Sequence, residues 1–393
     1  MRIQPVRIAV ILAIVLLSLG LHVYAASTLP VDNDERTYVT AAAHYAEYLR
    51  SGHPKELAYY SYNSEHPALF KILYGAAFLL QPPMPNPDKP LMRPRQAIQT
   101  AELKPWILTG RYTSNLLAVL AALALALLNP LAGFLMSIQS VGVKYTSEMY
   151  LESLPLLASL LSALAYWAWI RQAARPGKKT LRDHFWLAVS AGFLGMTAAS
   201  KYVYCAVGIA IVIHFAASAI GNRALRRYIP WILGWGVLAL ASFYVLDPYM
   251  YKQPLVKLTQ TLHFYLGYTK SKTVVTANYP IYQPFVWLAN SAPQLFPVQS
   301  GSYLVALDLP ILLLAAAGAY RLLKRNALFF TWLVVGLIVL LAWPTKWTQY
   351  VLIILAPLSM SAAEGIGWLL SYPLKWWRRR RAASPEKAQA NLN

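Results

Sequence analysis

Asp34 and Glu35 stand side by side just after the first apolar run of the chain, followed by Arg36 and Tyr38. Ionisable groups beside a membrane segment are costly to place and usually functional. Paired carboxylates are groups that move protons or hold cations, so this is where chemistry is sought first. The surrounding stretch from Val31 to Lys71 is the most acidic part of the chain. Asp32, Asp34, Glu35, Glu47, Glu56 and Glu65 outnumber Arg36, Arg50 and Lys55 there, against a strongly basic remainder. A plainer reading stands beside the chemical one: a solvated loop in which Asp34 caps a helix over Tyr38 to Leu49.

The elements that position these residues follow from composition. The chain has 393 residues, 58% hydrophobic and only 13% charged. Soluble domains carry about 25% charged residues, so this is a membrane protein. Its 13 Trp and 26 Tyr supply aromatic belts for both interfaces. A net charge of +20 on such a chain points to cytoplasmic loops facing anionic lipid rather than to nucleic-acid binding. The single Cys205 excludes an intrachain disulfide and a cysteine zinc site, and its apolar surroundings read as core.

The run Ile8 to Ala26 begins like a signal peptide but approaches a full span, and reads as an uncleaved first helix entering from the cytoplasm. A short second span is expected from Ala68 to Leu80. The proline-rich loop QPPMPNPDKPLMRPRQ follows, and Lys89, Arg93 and Arg95 place it inside. Further apolar segments run roughly over residues 106–128, 130–143, 151–170, 185–199, 203–220, 229–246, 304–320, 328–343 and 351–370. Basic loops at Arg171 to Arg182, Gly221 to Arg227 and Arg321 to Arg325, and the tail from Lys375 to Arg381, are expected inside. Alternation then puts Asp34, Lys201, Asp247 to Ser302, and Trp343 to Trp347 outside. One stretch breaks the parity: three apolar segments separate two loops that both read as inner. Either Pro130 to Val143 is a short re-entrant piece, which suits only a protein-lined cavity, or the proline-rich loop is not inside. The fold expected is all-α and polytopic, with about ten or eleven transmembrane helices. It forms a single domain over residues 1–380 with outer loops at about 28–66 and 247–302. An amphipathic helix with Leu255, Leu258, Leu262, Tyr265 and Leu266 on one face lies in the second of these. Residues 381–393 read as a disordered cytoplasmic tail. No internal repeat is visible.

The motifs, in order, resemble a known family. Asp34-Glu35-Arg36-x-Tyr38, then Glu65-His66-Pro67-Ala68-Leu69, is similar to the first outer loop of polyprenyl-phosphate-sugar-dependent glycosyltransferases of the GT-C fold. These are family 39-like enzymes of the protein O-mannosyltransferase and aminoarabinose transferase type. Ala68 stands where the family has a second proline. Gly110-Arg111-Tyr112-Thr113-Ser114, Lys144-Tyr145-Thr146-Ser147-Glu148 with Glu152, and Gly195 to Tyr202 (GMTAASKY) resemble later family elements. So do Asp247-Pro248-Tyr249 with Gln253-Pro254-Leu255, and Lys346-Trp347-x-Gln349-Tyr350 with Pro357. The large soluble domains of some family members are absent.

The resemblance implies an inverting transfer of sugar from a polyprenyl-phosphate donor to a lipid, glycan or protein acceptor. It would take place on the outer face of the plasma membrane, with the active site facing outside or the periplasm. Asp34 would activate the acceptor hydroxyl. Glu35 would orient Arg36 or the acceptor, since neighbouring residues on a helix point about 100° apart. A phosphate leaving group needs cations. The candidates are His66, Lys201, Lys346 and Arg111, with Arg36, Tyr38, Tyr202 and Glu152 as further donor or substrate contacts. Each has a plain alternative: Lys201 as a snorkelling interfacial lysine, His66 as a turn residue, Lys346 as part of an aromatic belt, and Arg111 as a positive-inside anchor. Glu148 and Glu152, spaced i to i+4, form an acceptor or metal site on one helix face or simply pair with Lys144. His263 reads as interfacial. A divalent metal on Asp34 is an open option, though an Asp-Glu pair with one His is a poor ligand set. The competing class is a transporter or flippase of lipid-linked sugar. A glycan polymerase or ligase differs only in acceptor.

Overall fold

A computed structural model describes residues 5–175 and 180–382. Those residues are helical or irregular, with no strand among them. The expected all-α polytopic fold is present. Among the described residues six helical stretches are long and apolar enough to cross a membrane: Pro5–Thr28, Lys104–Leu128, Ser153–Ala173, Tyr202–Gly221, Arg223–Leu246 and Thr348–Ser371. The proposed tail lies outside the described residues from residue 383 onward.

The first long helix, α1 (Pro5–Thr28), is followed by two shorter ones, α2 (Glu35–Arg50) and α3 (Leu69–Phe78). Then comes α4 (Lys104–Leu128). Helices α1 and α4 run antiparallel. Arg7 near the start of α1 donates to the Leu127 carbonyl at the end of α4 (2.6 Å), and Arg111 near the start of α4 donates to Ala26 and Leu29 at the end of α1 (2.8 Å each).

This pairing corrects two expectations. With ten residues, α3 is about 15 Å long, half the hydrocarbon thickness, and does not span. The proline-rich loop therefore returns to the face that carries Asp34. Val31 N–H donates to Gln96 O and Arg95 N–H donates to Val31 O, both at 2.8 Å, and His44 reaches Asp88 at 2.9 Å. The loop's basic residues sit beside the acidic first loop instead of marking the opposite side. Arg111 is accordingly not an anchor on that opposite side.

The parity break disappears with this change. After α4, Asn129 accepts from Ala132 N–H and Pro130 opens α5 (Pro130–Ile138). Extended backbone at Gln139 separates it from α6 (Ser140–Ser147). The two form one broken pass. The break is tolerable because its polar groups are met inside protein. Asp308 accepts from both the N–H and the hydroxyl of Ser140 (3.3 and 2.6 Å), and Gln139 donates to Ser359 (2.7 Å). The chain continues through α7 (Ser153–Ala173), α8 (Phe185–Ser200), α9 (Ala206–Gly221) and α10 (Ile229–Leu246). Shorter helices follow on the Asp34 face: α11 (Pro254–Tyr268), α12 (Lys272–Ala277), α13 (Gln283–Ala289) and α14 (Ala292–Leu295). The last passes are α15 (Asp308–Arg325), α16 (Ala327–Ala342) and α17 (Leu355–Ala382). Counting α5–α6 once, the described residues pass ten times between two faces.

Helices α15 and α17 pack backbone to backbone. A methyl group at Gly318 would run into the Ser361 carbonyl, and one at Gly365 into that of Leu314. Small residues at such a crossing give the close approach that substitutes for a hydrophobic driving force in lipid. The amphipathic helix is α11. Its Leu255, Leu262 and Leu266 are exposed, while Tyr265 turns inward.

Candidate active site

The site is built on a buried ion pair. Glu35, in the first turn of α2, is fully buried. Arg111 grips it with two parallel bonds, Nε to Oε1 at 2.8 Å and Nη2 to Oε2 at 2.7 Å. Glu35 also accepts from the backbone N–H of Asp32 and of Met149, each at 2.9 Å. The remaining Arg111 donors reach the carbonyls of Ala26, Leu29 and Pro30. A planar fork of five donors suits this task in a way a lysine cannot. One cluster thus ties the end of α1, the acidic loop, α4 and the segment after α6. The orienting partner of Glu35 is Arg111, not Arg36. Arg36 is exposed and makes no ion pair among the described residues.

Asp34 is left open next to this knot. Partial desolvation by the protein around it and the charge of Asp32 raise its carboxyl above the usual range, against the opposing pull of Lys201, Tyr150 and Lys144. Asp32 behaves in the opposite way. Burial works to raise it, but Lys144 and the Tyr150 hydroxyl hold it below its ordinary value. Tyr150 donates to Asp32 Oδ1 at 2.5 Å, and Lys144 Nζ lies 3.1 Å from Oδ2. Two carboxylates two residues apart are therefore set to different proton affinities.

Lys201 sits at the end of α8, where its extended backbone interrupts the helix before Tyr202. Its ammonium pairs with the fully buried Glu152, which also accepts from Tyr204 at 2.7 Å. Lys201 lies 5.4 Å from the centre of the Tyr350 ring and within electrostatic reach of Asp34 and His66. It is 4% exposed, so it does not snorkel outward. Glu148 and Glu152 do not share a helix face. Residues 148–152 are non-helical, and each acid takes its own lysine, Glu148 Lys144 and Glu152 Lys201.

The other residues singled out from sequence line the same face. His66 meets the Tyr265 hydroxyl at 3.1 Å and stands edge-on to Tyr38, 6.5 Å between ring centres. Burial, then Lys201 and Lys71, push its pKa well below the ordinary value, leaving the imidazole neutral. Tyr202 packs near Tyr265, and Tyr265 in turn against Trp343. Lys346 spends its donors on the carbonyls that end α16: Leu340, Leu341 and Trp343, at 3.3, 3.1 and 2.7 Å. It also borders a cleft of about 240 Å³ with Thr269, Asn278, Tyr279 and Trp347. His263 is exposed on α11. Sequence reasoning did not single out Asp32, Tyr150 or Tyr265 as site residues. The first had a signal in its spacing two before Asp34; the tyrosines had none among 26. Among the described residues no group of three or more His, Cys, Asp or Glu is arranged to hold a metal ion.

No family model matches the sequence, and a search of curated proteins returns no match. Solved structures do match. ArnT from Cupriavidus metallidurans, bound to undecaprenyl phosphate, superposes with a TM-score of 0.58 at 12% identity, over 92% of this chain and 59% of that one. The archaeal oligosaccharyltransferase AglB from Archaeoglobus fulgidus, in complex with an inhibitory peptide and a dolichol-phosphate, gives 0.53 at 14%, over 97% and 52%. The chain spans just over half the length of these neighbours. Its fold is GT-C-like, the membrane architecture that these glycosyltransferases share.

Proposed function

We propose that this protein is an integral-membrane, inverting glycosyltransferase that uses a polyprenyl-phosphate sugar. The observation that carries the reading is the open Asp34 carboxylate, fixed beside the Glu35–Arg111 pair on a GT-C-like frame with the Lys201 ammonium close by. The acceptor hydroxyl attacks the anomeric carbon from the side opposite the phosphate. The new C–O bond forms as the bond to the phosphate oxygen breaks, and the sugar centre inverts. Asp34 takes the hydroxyl proton. The electron pair leaves on the polyprenyl phosphate, whose growing charge Lys201 stabilises. Neutral His66 offers a hydrogen bond rather than a charge, and Tyr38, Tyr202, Arg36 and Lys346 line the substrate path. The lipid, glycan or protein acceptor enters from the same face. Arg223, Arg226 and Arg227, with Arg321, Lys324 and Arg325, cluster at helix ends on the opposite face. Positive loops face the cytoplasm, which supports an outward-facing site in the plasma membrane.

The test is transfer by purified protein in lipid nanodiscs with a panel of radiolabelled polyprenyl-phosphate sugars and membrane extract as acceptor. Incorporation from one donor supports the reading. Binding or movement of donors across the bilayer with no bond cleavage would instead assign a transporter.

A further inference from the structure

Asp32 and Glu148 face each other where α6 ends, two carboxylates of the kind that supply oxygen ligands to a divalent cation. The place between them is filled. Lys144 Nζ lies 3.1 Å from Asp32 Oδ2 and 2.6 and 2.9 Å from the two Glu148 oxygens. An ammonium has three donors, and these three oxygens use them all. The Lys144 side chain is completely enclosed. The Tyr145 and Phe296 rings close over it, 4.5 and 4.8 Å from the ammonium to their centres, and Tyr150 stands at 5.8 Å. This is a desolvated cation held by two carboxylates and aromatic faces, and the low dielectric strengthens its attraction to them.

What the ammonium holds leads directly to the base. Asp32 Oδ1 accepts the Tyr150 hydroxyl at 2.5 Å and the backbone N–H of Asp34 at 3.3 Å. Lys144 is itself placed by α6, whose start is fixed by the contacts of Ser140 with Asp308. From this geometry we infer that Lys144 is the resident cation of the acidic cluster, a positioning residue that fixes Asp32 and through it Asp34, and that the cluster takes up no divalent metal. The inference about Asp34 rests on the glycosyltransferase reading; the inference about the cation rests on the contacts alone.

The experiment measures Mn2+ binding to detergent-solubilised full-length protein by electron paramagnetic resonance, beside transfer activity with and without a chelator. Wild type is expected to bind no Mn2+ at the cluster and to keep its rate after chelation. Lys144→Ala frees two carboxylates, and is expected to gain one Mn2+ that the further change Asp32→Asn removes. Its turnover should fall at least tenfold with little change in donor KM, and Lys144→Arg should recover part of it. Three results would overturn the inference: a Mn2+ bound by wild type and lost in Asp32→Asn, a rate abolished by chelation and restored by Mn2+, or a folded Lys144→Ala that binds none. If Lys144→Ala does not fold, the two wild-type arms still decide. Wild type that transfers nothing yet binds no Mn2+ would count against the glycosyltransferase reading and leave the cation assignment standing.

Discussion

Arg111→Ala isolates the pair on which the whole acidic loop is mounted. Both side chains are fully enclosed, with two direct bonds of 2.8 and 2.7 Å between them. The substitution leaves the Glu35 charge with only the backbone donors of Asp32 and Met149, and strips the carbonyls of Ala26, Leu29 and Pro30 of their shared partner. Breaking a buried pair from one side costs about 3–5 kcal/mol, because a charge is left uncompensated. At about 1.4 kcal/mol per tenfold, that is roughly a 10²- to 4 × 10³-fold shift toward the unfolded or locally opened state. Folded domains hold about 5–15 kcal/mol in total, so the loss is a large share. Arg111→Lys keeps the charge but not the fork, and is expected to lose less. The double variant Glu35→Gln with Arg111→Met removes both charges and should be more stable than Arg111→Ala. Thermal unfolding in one detergent, with limited proteolysis of residues 28–66 as the local readout, measures all three. Arg111→Ala with wild-type unfolding and proteolysis, or a double variant as damaged as the sum of its parts, would refute the reasoning.

Three other outcomes follow from the same geometry. Lys201→Met leaves Glu152 buried without its cation and removes charge from the leaving-group side; turnover is expected to drop by about 10²-fold or more, with Lys201→Arg retaining part, in a single-turnover assay. Asp34 must be ionised to accept a proton and its carboxyl is raised, so the transfer rate should fall on acidification at a pH above the ordinary carboxylate range; a pH–rate profile checks this. Asp247 is fully buried beside α3, accepting from Ala68 N–H at 3.2 Å, and burial raises its carboxyl to about 6. A raised folded-state value favours folding at low pH and is lost as pH rises through 6. Asp247→Asn should therefore stabilise the protein by on the order of 2–3 kcal/mol at pH 7–8, by about half that at pH 5 and by little below about pH 4, measured as thermal unfolding against pH.

Much of this was legible in the sequence, because membrane spans announce themselves through length and apolarity. The acidic stretch after α1, the segment boundary at Pro130 and the aromatic amphipathic helix at residues 254–268 all came from such patterns, whereas the break at Gln139 did not. The side assigned to the proline-rich loop did not survive. Lys89, Arg93 and Arg95 resemble an inner loop by charge, yet the backbone pairing of Val31 with Arg95 and Gln96 puts them beside Asp34. Periodicity likewise suggested one helix face for Glu148 and Glu152, where the chain leaves the helix between Ser147 and Ser153. The partners of the acids were beyond reach for a different reason. Glu35 with Arg111, Asp32 with Lys144 and Glu152 with Lys201 lie 76, 112 and 49 residues apart, and no local pattern encodes which long-range pair forms.

The central claim is that Asp34 accepts the proton of the attacking hydroxyl while Lys201 and its neighbours hold the donor. The most direct measurement compares wild type and Asp34→Asn in two readouts: donor binding by titration, and the anomeric configuration and rate of product formation by NMR. The account predicts an inverted anomer from wild type, and for Asp34→Asn near-normal donor affinity with turnover reduced at least about 10²-fold. A product of retained configuration, or an Asp34→Asn variant that turns over at the wild-type rate, would contradict it.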